Sequence, residues 1–261
     1  MTEEKVRLGG MALANGVLVH GPRAWACAVR TADGELKVVA KRKRFRAADV
    51  RNPLFSGVAR IAEVFALLPQ VKRALPEAEL PMERPRVLAS MAGTALVLRG
   101  LRASPMRPLT RELLTGLLSV APAALALRDG DLAAYHGAEH VSIGSYEHGE
   151  SRPKEHERCG SHLVGPMLLT TAVGNVVAER VPASLRPAAR LVSAVGAIAA
   201  SVEIFGWMTR NEEHPLSRAL ALPGHELQHR FGTREPSPAQ LEVAEAALRA
   251  CLQLEQAGLE K

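Results

Sequence analysis

The chain has 261 residues, which is enough to bury one sizeable core or two small ones. Hydrophobic residues make up 47% and aromatic residues only 3%, so a core of Leu, Ala and Val is predicted, which suits closely packed helices. The net charge of +6 is compatible with a nucleic acid, a membrane surface or simple solubility. Three cysteines, an odd and sparse set, argue against a disulfide framework and for a reducing compartment.

The first forty residues are predicted to form β-structure. Asp33-Gly34 is a strong hairpin turn signal between two short runs within residues 25–41, and Val38-Val39 gives the second run β-branched character. Upstream, glycines at positions 9, 10, 16 and 21 predict an irregular entry to this hairpin.

The N-terminus and a basic run bear on location and partners. Residues 1–5 are polar with no apolar core behind them, so secretion is not expected, and a bacterial cytoplasmic or inner-membrane-associated protein is predicted. Residues 41–46 read KRKRFR; the simplest interpretation is a solvated strand end, and the alternative is contact with anionic lipid headgroups at a membrane surface. No recognised reader motif accompanies the run, so no nucleic-acid partner is expected.

After residue 53 the pattern becomes helical and later strongly apolar. Prolines at 69, 76, 81 and 85 predict a connector of about twenty residues. Three apolar stretches follow at 113–127, 163–178 and 191–208; the first two fall short of the roughly 18–20 residues of a spanning helix, and Glu203 lies in the third. Buried bundle helices and helices attached to a membrane are both open interpretations.

These patterns predict an α+β fold that is predominantly α. A glycine-rich entry and β-hairpin unit over residues 1–50 would pack on a helical bundle over residues 51–261, as one continuous domain. At the C-terminus, Ser237, Pro238 and Gln240 form a capping-box pattern that predicts the start of an amphipathic helix.

The candidate chemistry lies between residues 135 and 162, where five of the nine histidines fall. His136 and His140 are four apart in an H-x-x-E-H pattern, so on a helix both imidazoles share a face and could bind one metal ion. Glu139 lies near the same face and is predicted to be the general base, as in zinc peptidases with this inverted motif. The alternative is that the two histidines are ordinary core or surface residues beside a solvated glutamate, with no metal-binding role.

A tetrahedral metal needs further ligands, and the nearest supply is downstream. His156 or Cys159 would complete a site that favours zinc, and Glu147 and His148 are further candidates. Cys159 could instead be a nucleophile activated by a neighbouring histidine.

A second motif occurs late in the chain. His225, Glu226 and His229 form a literal H-E-x-x-H pattern, which taken alone is typical of zinc peptidases. Pro223-Gly224 directly before it predicts barely two turns of helix, so these residues are secondary candidates, either contributing to the same centre or forming a polar turn.

Several motifs, in order along nearly the whole chain, resemble the YqhQ-like bacterial family. They are GGMALANGV at 9–17 with GP at 21–22, YHGAEH at 135–140, YE at 146–147, HERCG at 156–160, TREP at 233–236 and QLEVA at 240–244. The resemblance implies a domain of unknown function that is often labelled a predicted metal-dependent enzyme and regarded as an integral membrane protein. The chain departs from the family where Glu157 replaces a proline, in its short apolar segments, and in the H-E-x-x-H group, which is not part of the family pattern.

The leading functional hypothesis is therefore a metal-dependent hydrolase with zinc as cofactor and an unidentified small-molecule or peptide substrate. One alternative is a structural or sensory metal site closed by four protein ligands. Another is a non-enzymatic membrane protein in which the polar cluster forms a buried network.

Overall fold

The computed structural model describes the backbone of residues 5–50, 53–119, 121–127 and 130–257, and begins with a four-stranded antiparallel sheet. The strands are adjacent in sequence order: β1 Gly9–Leu13, β2 Gly16–His20, β3 Ala24–Arg30 and β4 Leu36–Arg42. The hairpin predicted at Asp33-Gly34 is confirmed as β3–β4, with Gly34 at a φ of +87°, a conformation that glycine adopts without steric cost.

The irregular entry predicted upstream is wrong, because those glycines lie in or beside strands. β1 pairs with β2 with Gly10 opposite Val19, and β2 pairs with β3 with Gly16 opposite Val29. A Cβ at Gly16 would lie 2.1 Å from the carbonyl oxygen of Ala28, so glycine here permits a close backbone approach.

The rest of the described chain is largely helical, which confirms the α+β, predominantly α class. The helices are α1 Pro53–Ala74, α2 Pro85–Ala103, α3 Pro108–Ser119, α4 Ala121–Leu127, α5 Gly130–His148, α6 Val164–Glu179, α7 Arg186–Met208, α8 Pro215–Leu227 and α9 Pro238–Gln256. The capping box predicted at Ser237 is confirmed at the start of α9.

The predicted proline-rich connector is only half as long as expected. α1 continues through Pro69 to Ala74, and α2 begins at Pro85, so residues 75–84 alone join the two helices. Proline inside a helix costs about 3 kcal/mol. Burial of Leu67, Leu68 and Val71 on both sides of Pro69 offsets that cost.

The chain forms two compact units. The first takes in the described parts of residues 1–46, 66–156 and 229–261. In it, one face of the sheet packs on α5 and α9, with Val17, Val19 and Ala28 in the shared core. The other face, with Trp25, packs on the C-terminal part of α1 and the segment that follows it. The sheet is therefore covered on both faces, and β1 lies against α5, the helix that carries the H-x-x-E-H motif.

The second unit takes in residues 47–65 and 157–228, and α6 and α7 form its main contact. Thr170 and Ser201 share a hydrogen bond of 2.8 Å between their hydroxyl groups. Including the turns that precede them, the segments Gly160–Glu179 and Ala183–Met208 are long and apolar enough to cross a membrane, by length and composition. Only 22% of each apolar window is buried. α6 itself has 16 residues, and the segment reaches 20 residues only with the 3₁₀ turn Gly160–Leu163 that precedes it.

Candidate metal centre

The H-x-x-E-H motif lies in the middle of α5, in the first unit. His136 and His140 are one turn apart, and their ring centroids are separated by 4.3 Å. The predicted helix brings the two imidazoles side by side, as one metal ion would require.

Each of the two rings is oriented by a backbone carbonyl group from another segment of the first unit. The Nδ1 atom of His136 lies 2.7 Å from the carbonyl oxygen of Gly232, and Nδ1 of His140 lies 2.6 Å from that of Lys154. A carbonyl oxygen only accepts hydrogen bonds, so Nδ1 must carry the proton in both rings. In the neutral ring the lone pair is then on Nε2. Histidines that bind metals are commonly held in this way.

Glu139 is buried beneath the same turn of α5. Its side chain is 6% exposed and lies against Gly10 of β1. Burial raises the pKa of the Glu139 carboxyl above its usual range, and the positive charge of His136 and His156, when these rings are protonated, opposes that rise. A carboxylate with a raised pKa is better suited to accept and return a proton near neutral pH.

His156 lies beside the pair but is engaged elsewhere. Its ring centroid is 5.6 Å from that of His140, and its Nε2 atom lies 3.1 Å from Oε2 of Glu147. Glu147, predicted as a secondary candidate, is thus the partner of His156, and both side chains are largely buried. His148 is exposed at the end of α5.

The segment that carries the Lys154 carbonyl is held by charged side chains. The Lys154 ammonium lies 3.1 Å from Glu155 and 3.8 Å from Glu235, and Nδ1 of His229 lies 3.2 Å from Glu155. His229, the last residue of the H-E-x-x-H motif, has an exposed side chain that contacts Glu155 in this segment and therefore helps to hold it.

The first two residues of that motif lie in the second unit. His225 and Glu226 are on α8, which continues through Pro223 to Leu227, and a π-helical turn follows at Gln228–Gly232. The prediction that Pro223-Gly224 leaves barely two turns of helix is wrong. Gly224 allows α8 to pack closely against the backbone of Ser161, since a Cβ at Gly224 would lie 2.5 Å from the Ser161 carbonyl oxygen.

Cys159 is also in the second unit, at the start of the 3₁₀ turn Gly160–Leu163. Its Sγ accepts a hydrogen bond from the backbone N–H of Ser161 at 3.5 Å, and the residue is half-buried. The other two cysteines are buried, and burial raises the pKa of Cys27 to about 12 and, with the nearby Glu255, that of Cys251 to about 11. Neither is suited to act as a thiolate at neutral pH.

The groups that orient His136 and His140 were not predicted from the sequence. The carbonyl groups of Gly232 and Lys154 are backbone atoms, and no residue type marks them. The available signal was the pair of glycines on α5, Gly137 and Gly144, because glycine inside a helix indicates close approach by another segment.

Residues 131–254, which run from the start of α5 to near the end of α9, match the sequence model of a family described as Protein of unknown function (DUF1385). This match, together with the relative described next, confirms the resemblance to the YqhQ-like family that the motifs predicted. Over 132 residues it is 32% identical to the Uncharacterized protein YqhQ of Bacillus subtilis (strain 168). That alignment covers 46% of this chain and 40% of the relative. No solved structure matches the chain.

Proposed function

We propose that His136 and His140 bind a divalent metal ion through their Nε2 atoms and that the protein is a metal-dependent hydrolase. The observation that carries the proposal is the matched pair of Nδ1–H to carbonyl hydrogen bonds, 2.7 and 2.6 Å long. Two adjacent imidazoles in the same tautomer direct equivalent lone pairs from one helix face, which is the arrangement that a shared metal requires.

The proposed third ligand is Cys159. It follows His156 by three residues, so their Cα atoms are at most about 11 Å apart along an extended chain. His156 has its Nε2 atom on Glu147, so it would have to bind the ion through Nδ1, and it stays the alternative to Cys159. Two imidazoles and a thiolate favour zinc over magnesium, because soft and borderline donors suit zinc.

Glu139 is the proposed general base. A bound metal would supply a Lewis acid that polarises a carbonyl or phosphoryl group. Glu139 would take the proton of an attacking water and return it to the leaving group. Its burial fits that role, since a base with an unperturbed carboxyl pKa would hold the proton too weakly at neutral pH.

Cobalt(II) titration followed by absorption spectroscopy tests this ligand set. Wild type should bind one cobalt per chain and show a near-ultraviolet thiolate-to-cobalt charge-transfer band. Cys159→Ser should lose that band, and His156→Gln should keep it. Persistence of the band in Cys159→Ser would exclude this thiol, and absence of cobalt binding in wild type would contradict the metal site.

Glu139→Gln separates an enzyme from a structural metal site. The variant should bind cobalt as wild type does, because Glu139 is not a proposed ligand. It should lose hydrolysis of any ester, amide or phosphoester found by screening the zinc-loaded protein. Equal hydrolysis by wild type and Glu139→Gln would contradict the assignment of the base. Full metal loading without hydrolysis of any screened substrate would favour a structural or sensory site.

We also propose that α6 and α7 attach the protein to a membrane. Large apolar side chains on these helices are exposed, among them Val173 at 56%, Leu191 at 68% and Val192 at 72%.

Carbonate washing of membranes from expressing cells should leave the wild type in the pellet. Val173→Lys/Val192→Lys should move it to the supernatant, because each lysine costs about 3 kcal/mol at the centre of a spanning helix. Glu212→Lys, beyond the end of α7, is the control. Wild type in the supernatant would contradict membrane attachment.

A further inference from the structure

Gly137 of α5 lies directly under the backbone of Arg234. A Cβ at Gly137 would lie 2.1 Å from the carbonyl oxygen of Arg234, which is far inside any non-bonded contact distance. The backbone N–H of Arg234 in turn donates to the carbonyl of Ala133 at 2.9 Å. The segment around Arg234 can therefore lie on the surface of α5 only because residue 137 has no side chain.

The same segment supplies the acceptor for His136. Gly232, whose carbonyl oxygen lies 2.7 Å from Nδ1 of His136, is two residues before Arg234, and Thr233 between them is buried. A shift of the Arg234 backbone away from α5 would carry the Gly232 carbonyl with it. Lengthening this bond by an ångström would take it beyond 3.5 Å, where no hydrogen bond remains.

We propose that Gly137 is a positioning residue, which keeps His136 in the Nδ1–H tautomer by letting the segment at residues 232–234 rest on α5. The effect of this positioning on metal affinity rests on the proposed function. The tautomer itself is a property of the metal-free protein, so the positioning role and the metal site can be tested separately.

Gly144 provides a matched control on the same helix. A Cβ at Gly144 would lie 3.2 Å from the side-chain Cβ of Arg152 and 3.3 Å from Cδ2 of His156. A few tenths of an ångström of movement would relieve these contacts, whereas the contact at Gly137 is with a backbone oxygen at 2.1 Å. Gly144→Ala should therefore leave the acceptor of His136 in place.

The test is a long-range ¹H–¹⁵N spectrum of the metal-free, ¹⁵N-histidine-labelled full chain at a pH where the rings are neutral. The signals of His136 are assigned from their loss in His136→Gln. Wild type and Gly144→Ala should show the Nδ1–H pattern for His136. Gly137→Ala should lose that pattern and bind cobalt(II) about 10- to 100-fold more weakly than wild type, the usual effect of removing the group that orients a ligand.

An Nε2–H pattern for His136 in wild type would overturn the proposal, as would an unchanged Nδ1–H pattern in folded Gly137→Ala. If Gly137→Ala does not fold, the proposal is tested on the wild-type protein alone. An Nδ1–H ring at His136 together with slow hydrogen exchange of the Arg234 amide would support the proposal. Rapid exchange of that amide would overturn it. If the tautomers are as predicted but neither wild type nor any variant binds cobalt, the metal site is contradicted and the positioning role of Gly137 is still supported.

Discussion

The carboxyl group of Glu139 occupies the space in which a side chain of Gly10 would begin. A Cβ at Gly10 would lie 2.4 Å from Oε1 of Glu139 and 2.6 Å from its Cδ atom. Gly10 pairs with Val19 in the first hairpin, so its backbone is held by the sheet. The glycine-rich start of the chain therefore contributes directly to the candidate site, by making room for its proposed base.

Gly10→Ala is expected to destabilise the protein by about 1–3 kcal/mol, the usual cost of overpacking a filled interior. The cost arises because the added methyl group collides with a carboxyl group that is itself buried. Urea denaturation measures the free energy of unfolding, and Gly93→Ala is the control. Nothing lies within 4 Å of a Cβ at Gly93 on α2, so that change should be neutral or slightly stabilising.

A double-mutant cycle tests whether the methyl group added by Gly10→Ala collides with Glu139. If it does, Gly10→Ala should cost at least about 1 kcal/mol less in unfolding free energy in a Glu139→Ala background than in wild type. Additive effects of the two changes would show that the cost at Gly10 comes from another neighbour.

Glu255 of α9 anchors the turn between β2 and β3. Its Oε1 atom accepts hydrogen bonds from the backbone N–H groups of Arg23 at 2.7 Å and Ala24 at 2.6 Å, and the residue is only 3% exposed. Glu255→Ala should cost about 2–3 kcal/mol in unfolding free energy, because it leaves N–H groups of this turn without their charged acceptor. Glu245→Ala, at an exposed carboxylate on the same helix, should cost less than about 1 kcal/mol. Similar losses in the two variants would contradict the anchoring role.

His20 is expected to make the protein less stable as the pH falls. Burial, with the Lys43 ammonium 3.0 Å from Nδ1, lowers the pKa of His20 to about 3. Between that value and the ordinary value near 6.5 the unfolded chain binds a proton that the folded chain does not, so stability declines as the pH drops through this interval.

The pH effect of His20 is measured by comparing wild type with His20→Gln. Between about pH 7.5 and pH 5, His20 should contribute a loss of about 2 kcal/mol, which the variant should not show. Working above pH 5 keeps the titration of most carboxyl groups out of the comparison. Parallel stability–pH curves for the two proteins would show that His20 does not titrate in this way.

Features that depend on neighbouring residues in the sequence were predictable. The Asp33-Gly34 turn, the helical H-x-x-E-H motif and the Ser237 cap each need only a few consecutive residues to form. The fold class followed from the same signals.

Features that depend on distant packing were not predictable in this way. Pro69 and Pro223 lie within helices because tertiary contacts override the local preference of proline. The glycines of β1 lie in a strand because other groups come close to them, which the residue type alone does not distinguish from an irregular loop. The orienting carbonyls of Gly232 and Lys154 belong to segments far along the chain from the histidines they meet.

The most direct test of the account is elemental analysis of the purified full chain beside His136→Ala/His140→Ala. Wild type should contain close to one zinc or other transition-metal ion per chain, either as purified or after reconstitution, and the double variant almost none. Equal metal content in the two proteins, or no metal in wild type even after reconstitution, would contradict it.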